Sequence, residues 1–132
     1  MKNFIAIIAA LLLSINSFAD NTVAVNSAMS WLDVIDSGEY QESWNQSAPF
    51  FKNQLSADQW VVALNQVRTP LGKVSSRTVY STESSASLPK APDGEYVVIT
   101  LLTDFEKKPA SIETITLSKT NFGWQAVGYF IK

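Results

Sequence analysis

The stretch SADQWVVALNQVRTPLGKVSSRTVYSTES, residues 56–84, contains a change of period on which the fold turns. Its first half is helical. Ser56 followed by Gln59 makes a capping box, in which a hydroxyl and an amide satisfy each other's free backbone donors. Trp60, Val61, Leu64 and Val67 then recur on one helical face, and Pro70 with Gly72 ends the element. From Lys73 onward the apolar period falls from about 3.6 to about 2, the mark of extended chain.

Upstream of this point the chain reads as helix. Val25, Ala28, Met29, Leu32 and Ile35 form one apolar stripe over Asn21–Ser37, with Asn21 or Thr22 as cap and Gly38 as terminator. Glu39–Gln46 is a short second helix with Tyr40 and Trp44 on one face. Pro49 opens a further turn that carries Phe50 and Phe51, since Pro is tolerated in a first turn.

Downstream lie four alternating, β-branched runs: Lys73–Ser84, Glu95–Phe105, Ser111–Ser118 and Phe122–Ile131. Pro92-Asp93-Gly94, Lys107-Lys108-Pro109 and Thr120–Gly123 are turn clusters, and short links imply antiparallel neighbours. Ser81–Ala91 is low in complexity and reads as a mobile loop. Helices first and strands second is the α+β pattern. Val97, Ile99, Leu101 and Thr103 share one face of the second run, with Tyr96, Val98 and Leu102 on the other. Apolar residues on both faces predict a curved four-stranded antiparallel sheet, partly covered on its second face. Wrapped on the helices, such a sheet makes a cone with an open mouth.

The N-terminus predicts export. Lys2 is followed by the apolar run Phe4–Leu13 and then by SINSFA, with small residues at Ser17 and Ala19, the layout of a cleavable secretory signal. The run is too short to span a bilayer, which needs about 20 apolar residues, so no stable membrane anchor is expected. Cleavage near Ala19/Asp20 would send a single domain, residues 20–132, to the periplasm or the medium. Removing 19 of 132 residues leaves 113, with 9 basic and 12 acidic side chains, a net charge of −3. That balance provides no footprint for nucleic acid. The chain has neither Cys nor His, which removes disulfides, thiol chemistry, the commonest metal ligand and the commonest general base. No metal or cofactor is expected, and no catalytic residue is assigned.

The candidate ligand-binding residues are Arg68, Arg77, Tyr96, Asp104, Glu113 and Tyr129. Arg68 and Arg77 flank the crossover from helix to sheet, where their forked donors can hold a carboxylate or phosphate. The plainer reading pairs each with an acid such as Asp104 or Glu113. Tyr80, Tyr96 or Tyr129 beside Asp104 or Glu113 can also make a carboxylate base and a phenol donor. The tryptophans Trp31, Trp44, Trp60 and Trp124 can line a pocket, although three lie on apolar faces and read as core. Adjacent Phe50 and Phe51 cannot both face inward easily, so one is expected at a contact surface.

Ser43-Trp44, Pro49-Phe50-Phe51, Trp60 with Val67-Arg68, Pro70-Leu71-Gly72, Ser76-Arg77, the PDGEYVVI stretch at 92–99 and the terminal Gly123-Trp124 to Gly128-Tyr129 carry a resemblance. From about Ala28 to Lys132 the chain resembles domain of unknown function 4019, a family of small exported bacterial proteins. The resemblance implies location and architecture, with no chemistry attached. Its layout is similar to the nuclear-transport-factor-2-like and cystatin-like cones, folds that host enzymes, carriers and dimerisation modules alike.

The leading expectation is therefore a non-enzymatic exported domain that binds a small ligand or an envelope protein through the cone's mouth or the sheet face. A small hydrolase or isomerase using Asp or Glu with Tyr is the alternative. A self-associating module, such as a homodimer that hides an apolar sheet face, is the third.

Overall fold

The apolar stripe at the N-terminus and the change of period at Lys73 predict helices followed by a sheet, and the chain is built in that order. The computed structural model describes residues 21–132. The signal-peptide reading of residues 1–19 lies outside the described residues. Helix α1 covers residues 21–36 of the described chain. It closes in a Schellman arrangement, Gly38 N–H on the Ile35 carbonyl and Glu39 N–H on that of Val34, with Gly38 at φ +80°. Helices α2 (Tyr40–Asn45), α3 (Pro49–Gln54) and α4 (Ala57–Val67) follow, then a 3-10 turn at Thr69–Leu71. Pro49 sits in the first turn of α3, and the Ser56–Gln59 capping box is formed at both of its bonds.

Strands β1 (Val74–Ser85), β2 (Tyr96–Phe105), β3 (Lys108–Thr120) and β4 (Gly123–Ile131) make one antiparallel sheet in the order β1-β2-β3-β4. All four expected runs are strands, with bounds within one residue of expectation except in β3, which is longer at both ends. Pairing of Ser81–Ser85 with Tyr96–Thr100 turns half of the expected mobile loop into strand, leaving residues 86–95 as the connection. Strand β3 starts at Lys108, three residues early. The Asp104 carboxylate accepts the Ala110 N–H at 2.7 Å while Ala110 adopts φ +55°, so the hairpin tightens to Glu106 and Lys107. Register shifts occur in each strand pair, as bulges that bend and twist the sheet.

The core lies between the inner sheet face and the helices. Val97, Ile99 and Leu101 of β2, Ile115 and Leu117 of β3 and Ala126 of β4 meet Ala24, Ala28, Trp31, Leu32 and Ile35 of α1. Phe51 of α3 and Trp60 and Leu64 of α4 close it. Each large side chain buried this way contributes roughly 1.5–3 kcal/mol. The buried face of α1 is turned slightly from the expected stripe: Ala24 and Trp31 are inside, while Val25 and Met29 pack at its margin. In the last turn of α4 the expectation fails. Val67 is exposed and Arg68 is buried, because the guanidinium, unlike the valine, finds an acid inside.

The outer face is covered only at one end. Tyr96 is buried beneath the 86–95 connection and donates its hydroxyl to the Pro92 carbonyl. Further along, Leu102, Ile112 and Phe130 are exposed. Of the two adjacent phenylalanines, Phe51 is buried and Phe50 half-buried.

Candidate functional site

Four of the six expected residues come together, joined by one that the sequence reading missed. Asp36 is the last residue of α1, where a negative charge meets the negative end of the helix dipole. Two guanidiniums offset it. Arg68, just past α4, gives Nη2 to Asp36 Oδ1 at 2.8 Å and Nη1 to the Gly72 carbonyl at 2.8 Å. Arg77 of β1 gives Nη1 to Asp36 Oδ2 at 2.7 Å and Nη2 to Oδ1 at 3.1 Å.

Arg77 also turns its other edge to Glu113 of β3, with Nε on Oε1 at 2.7 Å and Nη2 on Oε2 at 3.2 Å. Glu113 is wholly buried. Thr103 donates to its Oε1 and Tyr129 to its Oε2, so four hydrogen bonds converge on one carboxylate. Burial opposes the charge on Arg77, but the bonds to Asp36 and Glu113 outweigh it and hold the guanidinium above its ordinary value. Burial first, then the Glu113 charge, pushes the Tyr129 phenol well above its ordinary value.

This cluster is saturated. Every nitrogen of Arg77 donates to a carboxylate, and two acids balance two bases. Arg68 Nε is buried without a partner among the described residues, its guanidinium lying 4.6 Å from the centre of the Phe105 ring. The carboxylate and phenol do meet, as the base-and-donor reading needs, yet Glu113 has no exposed surface through which a substrate would reach it. Asp104 and Tyr96 stand apart from the cluster. Asp104 is exposed, accepts from Ser76 and Ala110 and staples the β2–β3 hairpin. Tyr96 is tied to its own loop. Among the described residues no three His, Cys, Asp or Glu side chains gather as a metal-binding group.

The tryptophans divide differently. Trp31 and Trp60 stack with centroids 6.1 Å apart, and both indoles use one serine: Trp31 Nε1 donates to the Ser43 carbonyl at 2.8 Å, Trp60 Nε1 to its hydroxyl at 2.9 Å. Trp44 Nε1 donates to the Leu55 carbonyl. These three serve the core or its margin.

Trp124, at the start of β4, is the exception. Its indole N–H has no partner among the described residues, and its ring, with the Lys119 ammonium 5.9 Å from the centroid, lines two clefts. The larger, about 380 Å³, is bounded by Asn26, Ser27 and Ser30 of α1, by Trp31, and by Gln125 with Ala126 of β4. That is within the range of small-ligand sites, about 300–1,000 Å³. The side chains of Asn26, Ser27 and Ser30 make no hydrogen bond to another described residue, and among the described residues no ionisable side chain lines this cleft. The smaller, about 260 Å³, also borders Trp124 and is lined by Asn21, Ser84, Ser85, Gly94, Glu95 and Tyr96. Position in the sequence marked Trp124 as one of four tryptophans; only its N–H, unmet among the described residues, sets it apart.

The domain is thus α+β, with the cluster of Asp36, Arg68, Arg77 and Glu113 closed on itself and a cleft beside Trp124 lined by no ionisable side chain among the described residues. The chain belongs to the family of proteins of unknown function DUF4019, whose model matches residues 27–129. No curated protein and no solved structure matches it.

Proposed function

We propose that this is a non-catalytic exported domain that holds a small uncharged ligand in the cleft between α1 and the start of β4. Export rests on the signal-like layout of residues 1–19. The binding reading is carried by one observation: Trp124 and the side chains of Asn26, Ser27 and Ser30, whose polar groups are all without partners among the described residues, line a single cleft. Hydroxyl and amide groups both donate and accept, so they complement a ligand with hydroxyls or amides of its own. The paired Arg68 and Arg77 hold the helices on the sheet, which favours this cleft over an anion site at the cluster.

Native mass spectrometry of the protein, purified without denaturation from the cells that make it, tests the reading. The expected result is a reproducible uncharged adduct on the monomer, lost in the Asn26→Ala/Ser30→Ala variant, whose two positions are exposed. An adduct that survives this variant but is lost in Arg68→Met would move the site to the buried cluster. A bare chain would overturn the proposal.

A further inference from the structure

We propose that the open edge of β4 pairs antiparallel with the same edge of a second copy of this chain, in a register centred on Phe130. Of the two outer strands, only β4 is unguarded. β1 carries Arg77 and Glu83 and is broken by two register shifts. β4, GWQAVGYFI, has neither a charged residue nor Pro, the usual devices that keep an edge from pairing. Its first half is covered, since Ala48 N–H bonds the Ala126 carbonyl at 2.9 Å and the Gln125 amide reaches the Gln46 carbonyl.

Beyond Ala126 the edge is free. Ile112 and Lys132 exchange both backbone hydrogen bonds, at 3.1 and 2.9 Å. Antiparallel pairing alternates, so Phe130, opposite Thr114, also points its backbone groups at β3. Tyr129 and Ile131 therefore turn N–H and C=O outward, where no described residue meets them. Beside that edge lies an apolar groove of about 190 Å³, bounded by Ala63, Leu64 and Val67 of α4 and by Tyr129 and Ile131.

This edge is complementary to itself. Centred on Phe130, Tyr129 exchanges backbone bonds with the partner's Ile131, and Ile131 with the partner's Tyr129. Phe130, 52% exposed on the outer face, then meets the partner's Phe130 in the closer, non-hydrogen-bonded kind of pair, an aromatic cross-strand contact. On the inner face the partner's Ile131 comes beside Tyr129, toward the groove along α4. The neighbouring register, centred on Tyr129, would set Phe130 opposite Gly128, which has no side chain to meet it. Charge does not oppose the contact: α4 and β4 together carry one charged residue, Asp58, and interface centres are depleted in charge. An unrelated strand would have to supply each of these matches separately; a second copy has them by two-fold symmetry. Five residues of edge span about 17 Å, so the contact is small and the dimer weak.

Sedimentation velocity over about 10–500 μM tests this, with a reversible monomer–dimer equilibrium expected inside that range. Phe130→Lys, at an exposed position, sets two like charges face to face and should weaken the dimer roughly tenfold or more. Ile131→Pro removes an N–H that faces away from β3, a change an edge strand tolerates, and should abolish dimerisation. Leu102→Lys, exposed on the same outer face but two strands from the edge, should leave the dimer intact. In hydrogen exchange the amides of Tyr129 and Ile131 should slow as concentration rises, while that of Phe130, bonded to β3 in the monomer, stays slow throughout. If Ile131→Pro folds poorly, Phe130→Lys and this exchange pattern decide.

A monomer at every concentration would overturn the inference. So would a dimer that survives both edge variants, or one that dissociates in Leu102→Lys. The cleft beside Trp124 lies at the covered end of β4, so each of these outcomes leaves the small-ligand reading standing.

Discussion

Arg77 Nε lies 2.7 Å from Glu113 Oε1, reaching from β1 past the intervening β2 to β3, while the same guanidinium holds Asp36 at the end of α1. One side chain thus fastens the first helix to two non-adjacent strands. The contact spans 36 residues to Glu113 and 41 to Asp36, so it forms only once helix and sheet have come together.

Breaking this clamp from one side should be costly, because the surviving charge stays buried. Arg77→Met is expected to lower the unfolding free energy by about 3–5 kcal/mol in urea denaturation. The double variant Arg77→Met/Glu113→Leu should lose less than the sum of the two single changes. Additivity within about 0.5 kcal/mol would show the two residues to be uncoupled.

Tyr129 should make the protein alkali-sensitive. Its phenol is held above its ordinary value in the folded chain, and an unfolded tyrosine ionises near pH 10. Above that pH the folded state therefore binds one more proton than the unfolded state, and stability falls as pH rises. One such group contributes a slope of about −1.4 kcal/mol per pH unit; below pH 10 it contributes none. Tyr129→Phe should remove this part of the slope, read from urea midpoints between pH 9 and 11, an interval set by the unfolded tyrosine value of about 10. An unchanged slope would contradict the assignment.

Ser43 should matter more than its size suggests. Ser43→Ala leaves the buried Trp60 indole N–H without its acceptor, at an expected cost of about 1–3 kcal/mol. Ser47→Ala removes a donor to the Ser43 carbonyl, which still receives Trp31, and should cost about 1 kcal/mol. Thermal unfolding of the two variants gives the order directly. The reverse order would sink this account.

Gly72 occupies φ +78°, ψ −158°, a region nearly closed to other residues, and a Cβ there would lie 2.5 Å from Glu106 Oε1. Gly72→Ala should destabilise by about 1–3 kcal/mol. Adding Glu106→Ala should relieve the contact and leave the backbone strain, so recovery is expected to be partial. Full recovery in calorimetry would mean that the backbone was never strained.

Much of the architecture was legible before folding. The capping box at Ser56, the Gly38 terminator and the alternation of β2 are local signals, produced by residues within a turn or two of each other, and each appears as expected. The candidate site was legible only in part. Arg68, Arg77, Glu113 and Tyr129 could be singled out as chemically capable, but nothing in the sequence singled out Asp36, and Asp104 looked as good a partner as Glu113. Charge and hydrogen-bonding capacity are properties of a residue type; which acid an arginine meets is a property of the packing.

The amino-acid sequence by itself determined the order of helices and strands, the antiparallel meander and the core face of the sheet. Periodicity, capping and turn chemistry act over a few residues and survive without knowledge of the whole. Only the tertiary structure decided that the arginines neutralise Asp36 and the buried Glu113, that Val67 yields its inward place to Arg68, and that Trp124 alone among the tryptophans borders two clefts with its N–H unmet among the described residues. Those outcomes depend on contacts between residues tens of positions apart, where burial makes each unpaired group costly and each pairing selective.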